Sequence, residues 1–150
     1  MKDNLYTVVF IDYGNTEKLA GSRLRALSPE FGVNQLPAQA HAAQLAHLDL
    51  ASDEYFSECL DVLRDLTEGV FLVAEIIKRN PMQVMLTTST PRPENKLCIN
   101  EELVKQGLAS LNREYLRGKK EGDFLVDAQE AARQARLLIW QYGDFTQDEE

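Results

Sequence analysis

The stretch VVFIDYGNTEKL, Val8 to Leu19, limits the fold more than any other part of the chain. Val8, Val9, Phe10 and Ile11 favour a pleated, half-buried surface, whereas Gly14 and Asn15 tolerate the positive φ that a tight reversal needs. The pattern from Leu5 to Leu19 therefore predicts two strands joined at Asp12 to Asn15, with Glu17, Lys18 and Leu19 on the return strand. Local chemistry leaves one pair unexplained. Phe10 and Tyr13 place two aromatic rings beside a polar turn, either as core or as a wall for a cation.

Farther along, GSRLRALSPEF reads as a short helical turn. Pro29 and Pro37 bracket EFGVNQL as a boundary between packing units, because proline cannot donate to a ladder. AQAHAAQLAHLDL suits a helix by its alanines and a buried strand by its length, with the strand favoured. Ser52 is placed to cap a helix carrying Phe56, Leu60, Leu63 and Leu66 at helical spacing, ended by Gly69. VFLVAEIIKR and MQVMLTTST, separated by Asn80 and Pro81, predict an antiparallel hairpin. Asn100 reads as the cap of a short helix stopped by Gly107, and LASLN as a brief strand. A last helix is expected from Gly122 to Leu138, with Phe124, Ala128, Ala131, Ala132 and Ala135 on one face and Leu138, Ile139 and Trp140 anchoring its end. This order is α+β, and it fits a small helix-decorated barrel of the OB type.

Charge narrows the partners. Twenty-four acidic against sixteen basic residues leave a net charge of −8. That disfavours non-specific nucleic-acid binding, which begins with a basic face, and favours a cationic partner such as an Arg-rich peptide. The tail GDFTQDEE is expected to fray. No apolar run approaches a membrane span, and MKDNLY lacks the apolar core of a signal peptide. Cys59 and Cys98 fit no metal pattern and read as buried thiols of a reducing compartment. No Walker loop, GxGxxG, HExxH or paired CxxC is present, so neither a catalytic constellation nor a cofactor is expected. His41 and His47, six apart, would share one strand face and could hold a metal only with a third ligand that the spacing does not supply. Asp49, Asp53 and Glu54 are explained by capping and the helix dipole, and RGKKEG from Arg117 by a solvated loop.

A methylated guanidinium suits an aromatic wall. Methylation keeps the charge, weakens hydration and adds apolar surface, so stacking on Phe10 and Tyr13 gains relative to water. The Asn15 side-chain carbonyl could accept a remaining N–H. FIDYGNTE, LSPEF, LPAQA, VKQGLA and AQEAARQARLLIWQYGDF together resemble the Tudor staphylococcal nuclease family over nearly the whole chain. The resemblance implies a partial SH3-like Tudor β-barrel joined to an incomplete staphylococcal-nuclease-like OB barrel with helices. Its parts would be residues 1–36 (Tudor barrel and linker), 37–145 (nuclease-like domain) and 146–150 (acidic tail). It further implies a reader of symmetrically dimethylated arginine, with Phe10 and Tyr13 as two cage walls. Phe10 stands where the family often has Tyr. Asn15 would hydrogen-bond the guanidinium, while Asp12 and Gly14 support the turn. Partners would be Arg-Gly-rich tails of Piwi/Argonaute or Sm type, with RNA reached through a larger scaffold active in RNA metabolism, silencing, splicing and transcription in cytoplasm and nucleus. The nuclease's calcium carboxylates and arginines are matched by no residue here, which implies a non-catalytic module. The chain begins inside the Tudor barrel, so a fragment with a weakened cage is expected. The rivals are an RNA-binding or nuclease module and a purely structural interaction domain.

Overall fold

The computed structural model describes residues 4–90, 92–118 and 121–143. The expected acidic tail, 146–150, and Lys119 and Lys120 of the basic run lie outside them. The chain packs as two units, Met1–Ala43 and Gln44–Glu150.

In the first unit, β1 (Leu5–Val9) and β2 (Thr16–Ala20) pair antiparallel, Val9 opposite Thr16. The hairpin is the expected one, but its loop is longer. Phe10 and Ile11 leave the strand, and Phe10 N–H donates to the Asn15 carbonyl at 2.9 Å to close a six-residue connection. Gly14, at φ 83°, supplies the left-handed residue that lets its N–H reach the Phe10 carbonyl at 2.7 Å. Single turns of 3-10 helix follow at Gly21–Arg23 and Pro29–Phe31, the second started by a proline whose missing N–H costs nothing there. None of this unit's described residues is buried.

The second unit is built differently. Its three-stranded sheet has the order β3-β6-β5. Here β3 (Gln44–Leu45) runs parallel to β6 (Met82–Thr88), and β5 (Leu72–Arg79) pairs antiparallel with β6 as the expected hairpin. A register shift at Ile77 bends β5, the outer strand of this sheet. A second ladder joins β4 (Leu48–Leu50) to β7 (Ala109–Leu111). The Ala-rich stretch thus yields two short strands instead of one, broken by His47 at φ 71°. His41 and His47 consequently share no strand, and they belong to different units.

The helices are α1 (Phe56–Thr67), α2 (Ile99–Lys105), α3 (Arg113–Arg117) and α4 (Phe124–Gln134). Ser52 does not cap α1. A 3-10 turn, Asp53–Tyr55, intervenes, and Tyr55 takes the N-cap position without a side-chain bond. Nor does α1 bury the face traced by Phe56 and Leu60, which stay exposed; Cys59 enters the core with Val62 and Leu63 packed against it. Asp123 caps α4 by accepting from the Leu125 and Val126 N–H groups at 3.0 and 3.2 Å. This helix stops at Gln134, four residues short of expectation, where Arg136 and Leu138 turn to positive φ. That turn drives Trp140 into the core, where it is 1% exposed.

The core gathers α1, α2, β7 and α4 around Cys59, Leu103, Val104, Leu108, Leu111 and Leu125. Each large apolar side chain removed from water here contributes about 2 kcal/mol. Asn100, expected as a cap, is instead fully buried, and Cys98 takes the N-cap position. Its amide donates to the Ala46 and Val84 carbonyls, both at 3.1 Å, while its side-chain oxygen accepts from Leu86 N–H at 3.0 Å. One side chain so satisfies three backbone groups of β6 and the β3–β4 turn. Gln129 does likewise for Leu111 N–H at 2.7 Å. Gly107, at φ 72°, ends α2 where a Cβ would stand 2.5 Å from the Leu137 carbonyl oxygen.

Candidate functional site

The β1–β2 loop carries the site residues read from the sequence. Its compact turn points Tyr13 outward, 87% exposed, and leaves Phe10 half-buried. A returning segment lies over this turn. Ala40 N–H donates to the Ile11 carbonyl at 3.0 Å, and Gln39 N–H donates to Asp12 Oδ1 at 3.3 Å. Gly14 faces Ala40, where a Cβ on the glycine would come within 3.4 Å of the Ala40 Cβ. Turn and segment enclose a cavity of about 390 Å³ lined by Val9, Phe10, Ile11, Tyr13, Gly14, Ala38, Ala40, His41 and Ala42.

Phe10 and Tyr13 thus line one cavity, with Gly14 in its wall. Asn15 and Asp12 do not line it. Asn15 is exposed at the loop exit, its carbonyl taken by Phe10 N–H, and the Asp12 carboxylate holds the returning segment. No carboxylate lines the cavity, which leaves ring faces and apolar surface as its means of holding a cation. His41, considered in the sequence only with His47 as a metal pair, is the lining residue that sequence reasoning did not bring to this cavity. It reaches the cavity through two long-range bonds of an irregular segment, and no side-chain period marks such a segment.

A second cavity, about 350 Å³, lies in the second unit and is lined by His47, Ile77, Lys78, Gln83, Asn112, Glu114, Tyr115 and Gly118. Asn112 caps α3 by accepting from Tyr115 N–H at 2.9 Å, which sets the tyrosine ring against His47 with centroids 4.3 Å apart. Tyr115 donates its hydroxyl to Asp123 Oδ2 at 2.6 Å. Burial first, then that carboxylate, pushes the phenol up to about 12. Burial holds the His47 imidazole below its ordinary range, against the opposing pull of Asp123 and Glu114. For Asp123, burial acts upward but is outweighed by the bonds from Tyr115, Val126 and Leu125, so its carboxyl sits low. The tyrosine is a fixed donor and the aspartate a fixed acceptor, an arrangement that ties α3 to the start of α4. Among the described residues, no three of His, Cys, Asp and Glu are grouped to hold a metal.

Two family profiles match. The one described as Tudor domain covers residues 1–47, and the one described as staphylococcal nuclease homologue covers residues 37–142. The chain belongs to the staphylococcal nuclease homologue family. Within it, this is an extended Tudor region of the Tudor staphylococcal nuclease kind. The chain is 37% identical over 154 residues to staphylococcal nuclease domain-containing protein 1 of Drosophila melanogaster, a match spanning 95% of this chain and 15% of that protein. Its fold is similar to the extended Tudor domain of Drosophila melanogaster Tudor-SN, with a TM-score of 0.72 and 28% identity, covering 93% of this chain and 65% of that one. It is also similar to extended Tudor domain TD3 of mouse TDRD1, solved with a MILI peptide containing dimethylarginine. There the TM-score is 0.60 and the identity 27%, over 72% of this chain and 56% of that one. The α+β architecture with Tudor and OB-like parts, expected from the sequence, is the one these structures share.

Proposed function

We propose that this chain is a non-catalytic module that binds symmetrically dimethylated arginine in Arg-Gly-rich tails. Phe10 and Tyr13 stack on the guanidinium, Asn15 accepts one of its N–H groups from the loop exit, and Asp12 and Gly14 hold the turn. The observation that carries this reading is the cavity shared by Phe10 and Tyr13, which has aromatic walls and no carboxylate. An unmodified guanidinium loses strong hydration on entering such a place and finds no counter-charge. A dimethylated one loses less and gains contact area. The peptide seated on the mouse TDRD1 domain supports the same ligand class. The net charge of −8 steers a cationic tail toward the chain at low salt. In a longer protein this would serve a scaffold of RNA metabolism in cytoplasm and nucleus, recruiting tails of Piwi/Argonaute or Sm type.

Calorimetric titration with one Arg-Gly peptide, unmodified and symmetrically dimethylated, tests the reading. Tighter binding of the methylated form is expected, with about tenfold loss in Tyr13→Ala. Equal binding of the two peptides by the unaltered chain would refute it. The nuclease-homologue profile motivates a rival, RNA cleavage by the second unit. Calcium-dependent cleavage of labelled RNA that co-purifies with this chain, and not with a contaminant, would establish that rival instead.

A further inference from the structure

The cavity has a third ring. His41 lines it from the returning segment, as Phe10 and Tyr13 do from the turn. Its place is set by its neighbours: the Ala40 N–H bond to the Ile11 carbonyl and the Gln39 N–H bond to Asp12 lie one and two residues before it. The small side chains of Ala38, Ala40 and Ala42 leave the space beside His41 open. Apart from the Tyr13 hydroxyl, the imidazole is the one polar side chain in the lining. Resting on the methylarginine reading above, we infer that His41 is the third wall of the cage and sets its preference for methylated over unmodified arginine.

The chemistry follows from the ring. A neutral imidazole offers a flat π face and one nitrogen that accepts a hydrogen bond. Symmetric dimethylation leaves one N–H on each terminal nitrogen of the guanidinium, so a ring nitrogen at the wall accepts one while the methyl groups lie against Phe10 and Tyr13. An unmodified guanidinium has more N–H groups than this wall can satisfy, and each unsatisfied donor taken from water counts against it. The imidazole therefore discriminates by what it cannot accept as well as by what it can.

The test is the ratio of affinities for the dimethylated and unmodified forms of one Arg-Gly peptide, measured by titration of the whole chain. His41→Ala is expected to weaken the methylated peptide about tenfold and leave the unmodified one nearly unchanged, collapsing the ratio. His41→Phe keeps a π wall but has no acceptor and should recover only part of the ratio, while His41→Lys places a cation there and abolishes binding of both. His41 is exposed, so all three variants should unfold at the parent midpoint, which circular dichroism checks. An unchanged ratio in His41→Ala would overturn the assignment while leaving the methylarginine reading intact. A parent chain with no preference would remove both.

Discussion

The two units meet the same folding problem by opposite means. Among its described residues the first unit buries none, and it holds its shape through a hairpin ladder, a six-residue turn and two backbone donors of a returning segment. Among its described residues the second buries Trp140, seven leucine, isoleucine and valine side chains and an asparagine with all three of its bonds made inside. A unit organised by backbone leaves Tyr13 at the surface for a ligand, whereas a unit organised by core seals Trp140 inside and can carry Phe71 and Tyr142 exposed without depending on them. Binding and stability should accordingly separate between them.

Asn100→Ala should give the largest stability effect, since it removes the buried side-chain partner of the Leu86 N–H and the Ala46 carbonyl and leaves the Val84 carbonyl with only its bond from Ala46 N–H. A loss of about 3 kcal/mol is expected in urea unfolding, with methylpeptide affinity unchanged. Gly107→Ala should follow at about 2 kcal/mol, because the residue sits at φ 72° and its new Cβ meets the Leu137 carbonyl. On the other side, Gly14→Ala forces a side chain into the left-handed region and should cost about 1 kcal/mol locally. The peptide should weaken in step, read as faster amide exchange at Phe10 and Tyr13. Tyr13→Ala, altering a residue 87% exposed, should shift unfolding by about 0.5 kcal/mol or less while removing most binding. A core mutation that abolished binding without unfolding would break the division between the units.

A smaller effect comes from His47. Burial lowers its folded pKa below the ordinary 6.5, so the unfolded chain takes the proton more readily. The stability it contributes is whole above pH 6.5 and erodes as pH falls below it, levelling off beneath the folded value. Asp123, lowered from 3.8, loses its contribution only at more acid pH, as pH falls through its folded value. Between pH 7 and 5 the parent should therefore destabilise more steeply than His47→Gln, which denaturant midpoints across that range would check.

Legibility in the sequence tracked whether a residue's role is local. The hairpin around Gly14, the β5–β6 pair and the burial of Trp140 follow from propensity, turn chemistry and apolar content, and all three are present. Asn100 was misread because a capping asparagine and a buried one look alike in sequence; only the strands that Asn100 joins, far away along the chain, tell them apart. Phe10 and Tyr13 were legible as a pair beside a turn. Asn15 is legible as an acceptor from its side-chain chemistry, whereas His41 lines the cavity through neighbours 39 and 40 whose bonds depend on atoms about 28 residues earlier in the chain.

Cys59 gives the core a reporter of its own. Its thiol is fully enclosed among α1, α2 and β7, and burial pushes its pKa up, so a thiol reagent in solution meets neither the sulfur nor a thiolate. Alkylation at that position can proceed only as often as the second unit opens, whatever the first unit and its ligand are doing. The rate of mass gain on the peptide containing Cys59, kept apart from that of the half-buried Cys98, is then a clock that ticks for one half of the chain alone.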